Sequence, residues 1–321
     1  MIELQTEENK NNMRQFLVYD LGGTFIKFAL MNENFEIISQ DKVPSPTDNM
    51  ENLLAAMKGI ADRYEGQYEA AAVSMPGRLN TKEGIAYTGG AYHFIINTPF
   101  AKLLSETIGC KAVIANDGKC AAKAEAAKGA LKDTANGAVI VLGSGTGGGI
   151  VLNHDVWMGV SGGAGELSAL VCDLKALAKE GYSFYNFGSI YAGYGSATGL
   201  VALYATKKGI PMDQAFGTIN GVTFFEAYDA GEKEAIETLE EYGLNAAVGI
   251  NSVQCVLDLE RYAIGGGISA RKEVTDSIRK GIDKLFAGQM PLPFSKPEIV
   301  TCQFRNDANL IGALAFLLDA E

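Results

Sequence analysis

Two stretches of the chain share one plan: a short apolar strand, a glycine-rich turn, and a second strand running straight back. In the first, the strand over 16–19 enters Asp20-Leu21-Gly22-Gly23-Thr24 and the return strand covers 25–31. In the second, Val139-Ile140-Val141-Leu142 enters Gly143-Ser144-Gly145-Thr146-Gly147-Gly148-Gly149 and the return strand covers 150–153. Each is a hairpin, because a strand follows the glycines directly. A unit that opens this way twice in 321 residues predicts a duplicated α/β architecture of two lobes with a cleft between them. Around the first copy, Asn32-Glu33-Asn34 makes a turn, a third strand covers 35–43, and Pro44-Ser45-Pro46 breaks it. A helix over 49–64 then leads to a strand over 68–75 that ends at Pro76-Gly77. After the second copy come a helix over 233–256, a strand over 261–264, and helices over 270–286 and 308–318. The boundary falls near residue 118, giving a small lobe over 13–118 and a large one over 119–306, with the closing helix of 307–321 packing back on the first.

Composition narrows the function classes. Hydrophobic residues make up 47% and charged residues 20% of the chain, enough for a sizeable core and without the long apolar run a membrane helix needs. A formal charge of -11 with no Lys/Arg cluster argues against nucleic acid as a partner. The cysteines, Cys110, Cys120, Cys172, Cys255 and Cys302, are odd in number and dispersed, and no two stand as C-x-x-C, which predicts reduced thiols and a cytoplasmic location. Residues 1–12 are polar and acidic, without the apolar core of a signal peptide, and read as a flexible extension with Met13 as a second candidate start.

Glycine turns suit phosphates because a residue without Cβ lets backbone N–H groups approach an anion closely. Asp20, just before the first turn, is placed either to hold the hydrated Mg²⁺ that accompanies ATP or simply to shape the hairpin. Gly143, Gly145 and Gly148 spell G-x-G-x-x-G, but a dinucleotide site needs a helix after the glycines, and here a strand and the turn Asn153-His154-Asp155 follow. The P-loop pattern is missing too: Lys119 follows Gly118 but precedes Cys120, where Ser or Thr is required. Asn116-Asp117 closes the apolar run 112–115 and precedes the helical stretch 119–122, so Asp117 is either a proton acceptor at a strand's carboxyl end or a helix cap.

In their order along the chain, Asp20-Leu21-Gly22-Gly23-Thr24, Asn116-Asp117, 142–149, Gly163-Ala164-Gly165-Glu166 and Ile264-Gly265-Gly266-Gly267 resemble the motifs of the ROK family of sugar kinases, and the similarity spans 14–319. Thr88-Gly89-Gly90-Ala91 and the closing Asn306-Asp307-Ala308-Asn309-Leu310-Ile311-Gly312-Ala313 look most like its β-glucoside kinase branch. The resemblance implies an actin-like, ribonuclease H-like ATPase fold and transfer of the γ-phosphate of Mg-ATP to a sugar hydroxyl. It implies Asp117 as the base, with Gly77, Asn116, Asp117 and Glu166 on the sugar. It implies ATP binding by Asp20, Gly22, Gly23, Thr24, Lys27, Gly143, Ser144, Gly145, Thr146, Gly147, Gly265, Gly266 and Gly267, with Asp20 towards Mg²⁺. By analogy the protein is a homodimer.

Two departures stand out. Most family members read Gly-Glu-x-Gly-His and then carry a cysteine cluster for structural zinc. This chain has Ala169 in place of the His and only Cys172 before Leu200, so no zinc is expected, since one cysteine cannot make a tetrahedral site. His93 and His154 read as a loop residue and a hairpin-turn residue. A second sugar-binding Glu of the family aligns loosely with Ala192. Losing both ligands predicts a pocket open at the anomeric end, with Tyr191 and Tyr194 near enough in sequence to stack on a second ring, and hence 6-phosphorylation of a β-glucoside such as cellobiose. The alternatives are a glucokinase or another hexose kinase of the family (fructokinase, N-acylmannosamine kinase), or a non-catalytic sugar sensor. The sensor reading expects an N-terminal DNA-binding domain, which twelve residues before Met13 are too few to form.

Overall fold

The strand Gln15–Leu21 (β1) buries six consecutive positions, as a strand covered on both faces must, and Asp20 is the one carboxylate among them. It sits at the centre of a five-stranded sheet in the order β3-β2-β1-β4-β8. Here β2 is Phe25–Asn32 and β3 is Ile37–Pro44, both antiparallel, while β4 (Ala70–Met75) and β8 (Lys111–Asn116) run parallel to β1. The third strand starts two residues later than the sequence predicts. Asn32 Oδ1 accepts from the N–H groups of Asn34 and Glu36, and Phe35 takes a φ of 69°, so the turn holds residues that pattern alone assigns to the strand.

The structure is a computed structural model and describes residues 13–321, so the expected extension over 1–12 lies outside the described residues. The chain divides into two compact units. The first holds the described residues up to Ala127 together with Met158–Ala164 and Asp307–Glu321. Besides the main sheet it contains α1 (Met50–Asp62), a small antiparallel sheet of β5 (Leu79–Asn80), β6 (Ile85–Thr88) and β7 (Ile96–Thr98), then α2 (Phe100–Ile108) and α3 (Asp117–Ala127). The chain therefore leaves this unit after α3, not at residue 118. The final helix, Ala308–Asp319, lies in the same unit, packed so tightly on α3 that a Cβ on Gly312 would stand 1.8 Å from the Cys120 carbonyl oxygen.

The second unit, Lys128–Trp157 and Gly165–Asn306, repeats the plan. Its sheet runs β11-β10-β9-β12-β13, with β9 Gly137–Leu142, β10 Thr146–Leu152, β11 Asp155–Trp157, β12 Arg261–Gly265 and β13 Glu298–Thr301. Again the first three are antiparallel and the last two parallel to the central strand. The second glycine turn is shorter than its sequence suggests: Thr146 to Gly149 already pair with Leu142 to Val139, leaving only Gly143–Gly145 as turn. Gly148 has to be glycine, because a Cβ there would lie 2.1 Å from the Val139 carbonyl oxygen. Asn153 and His154 close the next hairpin with φ of 54° and 67°, the left-handed pair that a two-residue turn requires. The unit's core is built by Tyr191, Phe224, Tyr242, Tyr262 and the aliphatic side chains around them. The order of three antiparallel and two parallel strands, present once in each unit, is the actin-like, ribonuclease H-like ATPase fold. No helix among the described residues is long and apolar enough to cross a membrane.

Candidate active site

In the first unit the sheet register gathers the sequence-predicted residues at one edge. Asp20 stands opposite Ser74 across β1 and β4, and one position further on Met75 stands opposite Asn116 across β4 and β8, so Asp20, Ser74 and Asn116 all lie at the carboxyl ends of their strands, with Gly77 and Asp117 in the segments that follow β4 and β8. Asp20 is only 8% exposed. Its Oδ1 accepts from Ser74 Oγ and from Asn309 Nδ2, both at 3.0 Å, and Lys27 Nζ lies 3.8 Å from Oδ2. Burial pushes the carboxyl above its ordinary range, and the Asn309 bond, the Lys27 charge and the Ser74 bond oppose that shift. Beside it, the Gly22 N–H bonds the Phe25 carbonyl at 3.1 Å to close the first turn, and Tyr92 Oη donates to the Gly22 carbonyl at 2.8 Å. Gly23 and Thr24 are exposed on the turn.

Asn116 answers the question of the helix cap. Its Oδ1 accepts from the Lys119 N–H at 3.2 Å, the bond of an N-cap residue, and its Nδ2 donates to the Gly77 carbonyl at 3.0 Å. Asp117 is the first residue of α3, part-buried, with Oδ1 accepting from the Gly118 N–H at 2.8 Å. Gly77 has φ 107° and a Cβ there would come within 2.2 Å of the Thr88 carbonyl oxygen, so the Pro76-Gly77 bend and the Thr88-Gly89-Gly90-Ala91 segment are locked together.

In the second unit the turn Gly143–Gly145 is braced from behind. The Thr146 N–H donates to Ser168 Oγ at 2.8 Å, and Ser168 Oγ donates to the Thr146 carbonyl at 3.2 Å. Thr146 Oγ1 is buried with no hydrogen-bond partner. Glu166 is exposed just before the short 3-10 turn Leu167–Ala169. Gly265 ends β12, and Gly266, which follows it at φ 91°, lies so close to Leu142 that a Cβ would meet its carbonyl oxygen at 2.4 Å. Gly143, Ser144 and Gly267 line a pocket of about 700 Å³ whose other walls are Leu142, Ala197, Val222, Phe225, Ile268 and the pair Asp229 and Arg271. Arg271 donates to Asp229 at 2.6 and 2.8 Å and its guanidinium lies 4.6 Å from the centre of the Phe225 ring. Asn220 opens the helix Gly221–Asp229 below this wall with a capping box. Sequence reasoning missed this wall; the signal was the pair Asn220 and Thr223 ahead of Phe224-Phe225, a helix start facing a core.

The sequence-predicted set therefore divides. Asp20, Gly22, Gly23, Thr24, Lys27, Gly77, Asn116 and Asp117 lie in the first unit, and Glu166, Gly143 to Gly147 and Gly265 to Gly267 in the second. One expectation fails. Tyr191 is 1% and Ala192 3% exposed, and Tyr191 Oη donates to the Ala246 carbonyl, so both belong to the second unit's core and Tyr191 is not free to stack on a sugar. The hydrophobic surroundings that make a tyrosine a good stacking platform here make it a packing residue. Tyr194 is 37% exposed. His93 is exposed in a turn and His154 lies in its hairpin. Among the described residues no group of three or more His, Cys, Asp or Glu side chains stands together as a metal site.

A family model described as "ROK family" matches residues 17–320. An N-acetyl-D-glucosamine kinase of Vibrio atlanticus (strain LGP32) is 28% identical over 312 residues, covering 93% of this chain and 98% of that protein. A ROK family protein from Streptococcus pneumoniae TIGR4, solved in complex with sucrose, superposes with a TM-score of 0.81 at 25% identity, covering 95% of this chain and 98% of that one. A ROK family glucokinase from Streptomyces griseus, solved with glucose and AMPPNP, gives a TM-score of 0.77 at 24% identity over 94% of this chain and 98% of that one, a likeness of fold.

Proposed function

The chain belongs to the ROK family, and on that premise we propose that it is an ATP-dependent kinase that phosphorylates the 6-hydroxyl of a glucose-type sugar. The observation that carries the reading is the placement of Asp20, Asn116 and Asp117 at the carboxyl ends of strands of one sheet, with the N-cap bond already made by Asn116. Asp117 accepts the proton of the sugar hydroxyl as its oxygen bonds to the γ-phosphorus; the bond from that phosphorus to the β,γ-bridging oxygen breaks and ADP leaves. Asn116 and Glu166 hold sugar hydroxyls. The N–H groups of Gly23 and Thr24 and of Ser144 and Gly145 take the phosphates, on turns closed by the Gly22 and Gly143 N–H groups, and the apolar pocket beside Gly143, Ser144 and Gly267 takes the adenosine. The Asp20 carboxylate, a hard oxygen donor at a strand end, fits Mg²⁺, which takes one or two protein carboxylates and completes its shell with phosphate and water. When bound, that ion neutralises charge on the phosphates.

For the acceptor, the relatives favour a free hexose or its 2-acetamido derivative, since the N-acetyl-D-glucosamine kinase aligns over nearly its full length. The β-glucoside reading is the second. It keeps Ala169, exposed where most of the family has a histidine. It loses the support of Tyr191 and Ala192. Steady-state kinetics with Mg-ATP over glucose, N-acetylglucosamine, N-acetylmannosamine and cellobiose decide the matter. A free hexose or acetamido sugar with at least tenfold higher kcat/KM than cellobiose is the expected result. The reverse order establishes the second reading, and no turnover of any sugar overturns the kinase.

A further inference from the structure

The closing segment Asn306 to Ala313 puts a side chain on the carboxylate at the head of the first glycine turn. Asn309, near the start of the final helix, donates from Nδ2 to Asp20 Oδ1 at 3.0 Å across 289 residues of sequence. Ser74 Oγ donates to the same oxygen at the same distance. Two donors converge on Oδ1, while Oδ2 lies on the side of Lys27. Three such contacts favour one orientation of the carboxyl. The helix is seated for this task by Gly312, whose close approach to Cys120 admits no side chain, and by Leu310, Ala313, Leu314 and Leu317, all buried.

We propose that Asn309 is a positioning residue of the phosphoryl-transfer site: with Ser74 it occupies Asp20 Oδ1 and thereby presents Oδ2, beside Lys27, to the magnesium-bound nucleotide. The proposal rests on the kinase reading, and the test separates the two. Asn309→Ala removes the amide at a position where alanine favours the helix, and Asn309→Asp keeps the shape but sets a carboxylate against a carboxylate. Binding of the non-hydrolysable analogue AMPPNP is measured by calorimetry with Mg²⁺ and again with EDTA, alongside the unfolding midpoint of the free protein and KM for the preferred sugar. A hydrogen bond to a charged group predicts roughly tenfold to a hundredfold weaker binding for Asn309→Ala when Mg²⁺ is present. With EDTA the two proteins bind within about threefold of each other, because only the magnesium-dependent part runs through Oδ2. KM for the sugar stays within twofold of wild type. Asn309→Asp loses at least as much affinity as Asn309→Ala. Ser74→Ala repeats the pattern from the other donor and serves as the second measurement if either helix variant is unstable. If the variants bind AMPPNP with Mg²⁺ as tightly as wild type, or lose affinity equally with Mg²⁺ and with EDTA, Asn309 is a packing residue only. If wild type itself binds no AMPPNP, the kinase reading falls instead.

Discussion

Asp20 and Asp117 both stand at strand ends in the first unit, yet their surroundings ask different things of them. The sequence shows an Asp between a strand and a helix, and such an Asp is usually a cap, so residue type alone leaves Asp117 ambiguous. The cap bond instead goes to Asn116 Oδ1, because α3 begins at Asp117 itself and not at 119, where the sequence first reads as helical. With Asp117 as the base, Asp117→Asn should lower sugar-dependent ATP turnover by about 10²–10⁴-fold while leaving nucleotide affinity within a few-fold, as read by single-turnover kinetics and AMPPNP titration. Near wild-type turnover would remove Asp117 from the mechanism. Asp20 is the opposite case, a carboxylate whose position costs stability. Burial, the largest influence on it, holds its folded-state value above the unfolded one, so the folded protein binds that proton more tightly and stability falls as pH rises through the folded value. Asp20→Asn removes the penalty. In the absence of metal and nucleotide, its unfolding midpoint should exceed that of wild type at neutral pH, and the difference should close as pH falls towards the ordinary carboxyl value of about 4. A variant less stable than wild type at neutral pH would mean that the contacts from Asn309, Lys27 and Ser74 outweigh the burial.

At the level of elements, strands and long helices were legible because burial on one face or two leaves a period in the sequence. The helix predicted over 233–256 is Lys233–Leu257, and the strand predicted over 261–264 is Arg261–Gly265. The failures sit where glycine hides the pairing. Residues 146–149 have almost no side chains to show a period, and they form a strand because the backbone of Val139 to Leu142 is there to pair with them. The Pro76-Gly77 bend reads in sequence as a simple stop, whereas in the fold it is a contact point between β4 and the Thr88-Gly89-Gly90-Ala91 segment. Gly66 supplies the control for testing this, since its φ of 74° is also left-handed but nothing lies within 4 Å of its missing Cβ. Gly66→Ala should therefore cost only the conformational term, of about 1 kcal/mol. Gly77→Ala adds a backbone collision at 2.2 Å to a φ of 107° and should cost at least about 2 kcal/mol more, by urea denaturation. It should also raise KM for the sugar, because the carbonyl of Gly77 fixes the amide of Asn116. Equal losses for the two variants would show that the segment around Thr88 yields freely.

On the scale of the whole molecule, the same strand order occurs twice, with different residues at its strand ends. At the carboxyl edge of its sheet the first unit carries Asp20, Ser74, Asn116 and Asp117; around the corresponding edge the second carries glycines and an apolar wall. The duplication was readable because two strand–glycine–strand openings survive in the sequence. The wall was not, because its residues, Leu142, Val222, Phe225 and Ile268, come from separate elements and each alone reads as ordinary core. If this wall takes the adenosine as proposed, a change on it alters nucleotide affinity without touching the acceptor. Val222 offers the cleanest place to try, being 69% exposed at the pocket and near the start of the helix Gly221–Asp229, where its N–H donates to Asn220 Oδ1. An acidic residue is welcome at a helix N-terminus, so Val222→Asp should hold stability within about 1 kcal/mol of wild type, allowing for the like charge of Glu226 one turn on. In the pocket the same carboxylate meets a polyanion and wets an apolar wall. A penalty of about 1.4 kcal/mol at intermediate effective dielectric corresponds to roughly tenfold in KM for ATP, and added salt should relieve part of it. The KM values of the competing sugars, and their ranking, should not move. If the variant leaves KM for ATP unchanged, the adenosine lies elsewhere; if it reorders the sugars, this wall serves the acceptor.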